Sequence, residues 1–296
     1  MTEPPTLLAV PNVSEGRDRQ ALEAIERSFA PARFLDLHRD PDHGRSVFTL
    51  AAPQGQLAQG LLGGARAAIQ RIDLTAHAGI HPHVGALDVM PVVYLDEERR
   101  GPACAEALTA AALVGEDLQI PVFLYGELAS RPEQRERAWI RRGGPPELRR
   151  RIEAGELVPD YGPARMHPTA GAVLAAARPP LVAFNVDLVT DDLETAQRIA
   201  AGLRESGGGL PGVRALGLYL VDRGRAQVST NVHDHRAVPL REIVAYVRQR
   251  AEVSEAELVG LAPRAAFDGF PEDVPLRGFD PERHILEEVL QAVCLR

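Results

Sequence analysis

Nine histidines stand in a 296-residue chain that has no lysine: all 33 of its basic side chains other than histidine are arginine. The histidines cluster as His38 and His43, then His77, His81 and His83, then His233 and His235. Imidazole titrates closer to neutrality than any other unperturbed side chain, so a positioned one can take up and return a proton within a turnover. The missing lysine excludes Schiff-base chemistry and the lysine of a phosphate-cradling P-loop. If extended, His81-Pro82-His83 and His233-Asp234-His235 each put two imidazoles on one face, a conceivable metal pair. No third ligand at a matching spacing supports that pair, and no metal is expected. His77 and His81 cannot be the i, i+4 pair of a helical HExxH, because Gly79 and Pro82 argue against a helix and the glutamate is missing. Covalent catalysis has weaker candidates. Ser14 in NVSEG and Ser229 in QVSTN are not in a GxSxG elbow, and Cys104 and Cys294 sit in no reactive or CxxC context. Ser14 reads as a turn residue or helix cap with Arg17 three positions on. Gly207-Gly208-Gly209 reads as a loop, since GGGL lacks the spacing of a dinucleotide fingerprint.

The elements that must position these groups follow from apolar periodicity. Strands are predicted at Thr6–Val10, Arg33–Leu37, Ser46–Ala51 and Ala86–Tyr94, with helices over Arg17–Phe29 and Gln56–Ile72. Ala103–Leu118 and Pro121–Tyr125 add a helix and a strand, and the arginine-rich stretch Arg131–Arg151 reads as helix and loop. Gly171–Ala177 reads as a helix that the prolines at 179 and 180 break. Beyond them the order recurs: strand Leu181–Leu188, helix Leu193–Glu205 begun by Thr190-Asp191-Asp192, strands Val213–Val221 and Ala226–Val232, helix Leu240–Val253, strand Glu257–Leu261. Two β-α-β-β-α-β units give an α/β (α+β) fold of two ferredoxin-like subdomains, residues 1–178 and 179–296.

The net charge of −8 disfavours nucleic acid as a partner. The start, MTEPPTLLAVPN, is not built as a signal peptide, and no apolar run approaches a membrane span. With two distant cysteines and no disulfide framework, a cytoplasmic location is expected.

Eight collinear strings resemble the formiminotransferase family, which moves a formimino group from N-formiminoglutamate to tetrahydrofolate. They are VPNVSEGRD (10–18), DPDHGRSVFTL (40–50), IDLTAHAGIHPHVGALDVMP (72–91), IPVFLYGE (120–127), VPDYGP (158–163), LVAFNVDL (181–188), AQVSTNVHD (226–234) and LVGLAP (258–263). The resemblance implies two ferredoxin-like halves with a tunnel or cleft between them, a homodimer, tetrahydrofolate as co-substrate, and a place in histidine degradation and one-carbon metabolism. It also implies a transferase alone, with a separate cyclodeaminase acting on its product.

The family's HP-x-x-GA-x-D motif places the catalytic histidine on His81. Its implied role is to accept the proton of the attacking tetrahydrofolate N5 and pass one to the departing glutamate amine, with no covalent intermediate. The folate-contacting segment maps onto Gly162, Pro163, Ala164, Arg165, Met166, His167, Pro168, Thr169, Ala170 and Gly171, where Arg165 can face the folate carboxylates. Asn12, Arg45, His83, Asp88 and Asn231 are secondary candidates, and Arg45, Arg165 and His83 are the places for gripping an anion without lysine. This chain departs from the usual HKGEHPRMGA at Ala78, Ile80 and His83, reads His43-Gly44-Arg45-Ser46 for HNRS, and has Ala170 where the mammalian segment carries tryptophan. Other readings stay open: a folate-binding or regulatory relative without turnover, a formyl-transferring relative, or a metal-dependent hydrolase built on the HxH pairs.

Overall fold

Pro11 interrupts the first strand, because its nitrogen carries no hydrogen to donate to a ladder. The two pieces, β1 (Thr6–Ala9) and β2 (Asn12–Val13), both lie between β4 (Arg45–Pro53) and β5 (Leu87–Val93), antiparallel to each. Outside β4 runs β3 (Arg33–Asp40), and beyond β5 come β7 (Val173–Arg178) and β6 (Val122–Leu124), joined by parallel pairings. Helices α1 (Arg19–Ser28), α2 (Leu57–Arg71) and α3 (Arg100–Asp117) share one core with this seven-stranded sheet, with Leu22, Ile25, Phe48, Leu61 and Ala111 fully enclosed. A second core holds Phe123, Ile140, Leu148 and Leu174, and it includes residues of α4 (Arg137–Arg141) and α5 (Gly144–Glu153).

The computed structural model describes residues 4–294 and separates into two compact units, one ending at Pro179 and the other starting at Pro180. In the second unit β8 (Val182–Leu188), α6 (Leu193–Leu203), β9 (Val213–Leu220), β10 (Arg225–Val232), α7 (Leu240–Arg248) and β11 (Val253–Val259) follow the β-α-β-β-α-β order. The sheet order β11-β8-β10-β9 is all antiparallel, and Phe184, Ile199, Val228 and Ile243 fill its core. Short helices α8 (Pro281–His284) and α9 (Leu286–Cys294) complete the described chain. Among the described residues no helix is long and apolar enough to cross a membrane.

Three sequence expectations give way to the structure. Gly171–Ala177 holds the strand β7, not a helix. Its side chains alternate between the two cores, Val173, Ala175 and Ala177 on one face and Leu174 and Ala176 on the other, so parallel neighbours and burial on both sides override alanine's helix preference. Ser14 does not cap α1. Asp18 does, its carboxylate accepting from the Ala21 N–H at 3.0 Å, while the Ser14 hydroxyl donates to the Gly85 carbonyl at 2.7 Å. Finally, α7 stops at Arg248, and β11 begins at Val253 instead of Glu257, because the alternating VSEAELV pairs with β8. The Asp192 cap of α6 and the loop at Gly207–Gly209 follow the sequence reading.

Candidate active site

Glycine lets two loops of the first unit meet. Gly44, at φ +62° in the turn after β3, lies so close to the histidine loop that a Cβ would come within 2.6 Å of Gly79 Cα and 2.8 Å of the His77 ring. Gly79 in turn lies against His43, where a Cβ would stand 2.4 Å from the carbonyl oxygen. The Ile80 N–H then donates to the Asp42 carbonyl and the His81 N–H to the His43 carbonyl, each at 3.3 Å. The segment at 162–171 joins the same loop from the other side. Ala86 N–H donates to the Ala170 carbonyl and Ala172 N–H to the Val84 carbonyl, both at 2.9 Å, and Gly171 adopts φ +70°.

These contacts fix His81. Its Nδ1 lies 2.8 Å from the Pro82 carbonyl, an acceptor, so Nδ1 carries the hydrogen and Nε2 the lone pair. Although the residue is only half-buried, desolvation of the ring, then the positive charges of Arg45 and Arg141 and the nearby His43, hold the imidazole below the usual histidine range. The ring is therefore neutral at pH 7, which is what a proton acceptor requires. His43 stacks on His81 with centroids 5.8 Å apart, whereas His83 turns its ring edge to His77 at 4.2 Å. The HxH pair at 81 and 83 thus has different ring partners, and among the described residues neither HxH pair belongs to a three-ligand cluster.

Behind the loop, Asp88 is fully buried on β5. It accepts from Arg45 Nη1 at 2.6 Å, from Arg141 Nη2, and from the Val84 N–H at 2.9 Å. Burial alone would raise this carboxyl, yet Arg141 and Arg45 outweigh it and hold it below the ordinary aspartate value. Arg45 is also engaged by Asn12, whose Oδ1 accepts from Nε at 3.1 Å and Nη2 at 2.6 Å. The structure therefore gathers Asn12, Arg45, Asp88, His81 and His83 into one region of the first unit.

Within the segment 162–171, the His167 N–H and the Gly171 carbonyl, and their reciprocal pair, close a turn at 3.0 and 3.1 Å. His167 Nδ1 accepts from Ala170 N–H at 3.0 Å, and Arg165 is exposed with no side-chain bond or ion pair among the described residues. Gly162, Pro163, Ala164 and Pro168 form its half-exposed to exposed surface with Thr169, while Met166 and Ala170 are buried in the first unit. Asn231 stands on β10 of the second unit, opposite Arg214 and Ala183.

Sequence reasoning missed Arg137, Arg141, Arg178 and Tyr125. Arg141 completes the Asp88 cluster, and burial brings it down to about 10. The signal is two arginines four apart, flanking Trp139, the one tryptophan of the chain, within the arginine-rich stretch Arg131–Arg151.

Residues 6–178 match the formiminotransferase domain, N-terminal subdomain, and residues 183–268 match the formiminotransferase domain. A glutamate formimidoyltransferase of Thermoplasma acidophilum is 36% identical over 293 residues, covering 95% of this chain and 96% of that protein. One from Streptococcus pyogenes is 34% identical over 290 residues, covering 95% and 97%. The formimidoyltransferase-cyclodeaminase of Mus musculus is 36% identical over 275 residues, covering 87% of this chain and 50% of that protein.

Proposed function

The chain belongs to the formiminotransferase family, and from that premise we propose that it is a glutamate formimidoyltransferase. The reaction transfers the formimino group of N-formimino-L-glutamate to N5 of tetrahydrofolate. A new N5–carbon bond forms, the bond from that carbon to the glutamate nitrogen breaks, and 5-formimino-tetrahydrofolate and L-glutamate leave. His81 accepts the proton given up by N5 and delivers it to the departing amine, so one imidazole serves as base and then acid. The observation that carries this reading is the His81 geometry: Nδ1 held by the Pro82 carbonyl, Nε2 left with its lone pair, and the ring kept neutral by burial and two guanidiniums. Asp88 holds Arg45 and Arg141 in place beside it.

The segment Gly162–Gly171 takes the folate. Its docking against the His81 loop and the unengaged guanidinium of Arg165 support that role, since an exposed arginine suits the folate carboxylates. As a transferase of this kind the protein acts in one-carbon metabolism and histidine degradation, in the cytoplasm, as a homodimer, and a cyclodeaminase activity consumes its product. Incubation with tetrahydrofolate and N-formiminoglutamate, followed by the absorbance of 5-formimino-tetrahydrofolate, tests the reading. Turnover is expected, with a His81→Ala variant losing it. Folate binding without turnover would instead make the protein a non-catalytic relative, and an active His81→Ala variant would remove the role from this residue.

A further inference from the structure

A row of guanidiniums in the first unit carries more positive charge than its one carboxylate, Asp88, can offset. On α4, Arg137 and Arg141 are four residues apart and so share a helix face, about 6 Å along its axis. Arg141 points at Asp88, and Arg137 lies over the Tyr125 ring at 5.5 Å. Beyond it stands Arg178 at the end of β7, whose Nη1 donates to the Pro179 carbonyl at 2.9 Å. Arg137 and Arg178 have no acidic partner among the described residues. The charges are close enough to oppose one another: burial first, and then Arg137, weigh against the charged forms of Arg45 and Arg141, and burial brings Arg178 to about 10.

One polar atom in this row is buried with nothing to bond: Nε of Arg141, whose side chain is 10% exposed. The Tyr125 hydroxyl, on a residue only 6% exposed, has no partner but the Arg178 guanidinium. An orphaned buried donor is costly, and an oxyanion satisfies Arg141 Nε and the surplus charge, with the Tyr125 O–H left to donate to it.

We propose that Arg141, Arg137, Arg178 and Tyr125 form a subsite for a glutamate-type dicarboxylate, with Arg141 holding the carboxylate nearer His81 and Arg137, Arg178 and the Tyr125 hydroxyl holding the other. The carboxyl carbons of an extended glutamate lie on the order of 5 Å apart by standard bond lengths, which matches the four-residue step along α4. This inference rests on the transferase reading for its location beside His81. The same chemistry arrives from two sources, the N-formiminoglutamate donor or the glutamyl tail of folate.

The lone tryptophan, Trp139, lies on α4 between Arg137 and Arg141, so its fluorescence reports occupancy. Glutarate and L-glutamate are expected to change that signal saturably, with butyrate binding at least about tenfold more weakly for want of the second charge-assisted contact. Arg137→Gln and Arg178→Gln, checked for folding by circular dichroism, are expected to weaken glutarate by about tenfold or more. Kinetic arms assign the source. A raised KM for N-formiminoglutamate assigns the row to the donor, and weakened tetrahydrofolate with unchanged tetrahydropteroate, which lacks the glutamate, assigns it to the folate tail. Glutarate binding as tight in both folded variants as in the wild type would overturn the subsite. Failure of the transferase reading looks different: glutarate binds with the expected arginine dependence, but no formimino group moves.

Discussion

Replacing Asp88 by asparagine tests the electrostatic scaffold behind His81. The substitution keeps the shape but removes a charge that is 0% exposed and in contact with both Arg45 and Arg141. Breaking a buried pair by removing one partner costs about 3–5 kcal/mol, because the surviving charge stays desolvated. The asparagine oxygen can still accept from the Val84 N–H, which Asp88 bonds at 2.9 Å, so the lower end, about 3 kcal/mol, is expected. At about 2–4 °C per kcal/mol for a unit of this size, the melting midpoint should fall by roughly 6–12 °C. The assay is urea unfolding followed by Trp139, which lies in the same unit. A pH series sharpens it. The folded-state pKa of Asp88 is depressed, so its contribution is present above the unfolded value of about 3.9 and is lost as pH falls through the lower folded value. The gap between wild type and Asp88→Asn should therefore be full at pH 7 and shrink below about pH 4. A cost under about 1 kcal/mol at neutral pH, or one that stays constant into acid, would refute the claim that a desolvated ion cluster carries the scaffold.

The acidic limb of kcat/KM should lie below the ordinary histidine value of about 6.5, since burial, Arg45 and Arg141 all favour neutral His81. Arg141→Met removes one of those charges, so the limb should move to higher pH in this variant, and an unmoved limb would exclude His81 as the titrating base. Gly79→Ala places a methyl 2.4 Å from the His43 oxygen and 2.6 Å from His77 Nε2, so it should cost about 1–3 kcal/mol and lower kcat through a displaced His81 loop. Denaturant titration and steady-state kinetics on that variant check both effects.

The fold was most legible where alternation or β-branched composition marks an element, and less so at β11, where the expected α7 ran four residues into the loop before the strand. Arg17–Phe29 showed its helix through Leu22 and Ile25, and the second unit's strands showed theirs through alternation. Legibility failed at β7, where both faces are buried and alternation disappears: Val-Leu-Ala-Ala-Ala carries helix-forming composition into a strand fixed by its parallel neighbours. The candidate site followed the same rule. His81 and Asp88 stand in a string whose glycines and prolines mark a loop, whereas Arg141 reaches Asp88 across 53 positions and Tyr125, Arg137 and Arg178 are joined by packing, which no local spacing encodes.

At two positions of that packing arginine does what lysine would not. Burial brings Arg141 and Arg178 down to about 10, and both remain charged at pH 7. Lysine starts lower, at about 10.4, so the same burial would bring its ammonium closer to neutrality than it brings a guanidinium. A lysine there would also offer a point charge in place of the planar fork that lets Arg141 engage Asp88 while turning Nε elsewhere. Arginine is thus the residue that can stand beside others of its kind in a desolvated row and still carry charge at pH 7. Burial, Arg45 and Arg141 keep the His81 imidazole neutral, so Arg141 stands at once beside the proposed carboxylate subsite and beside the imidazole proposed as the base.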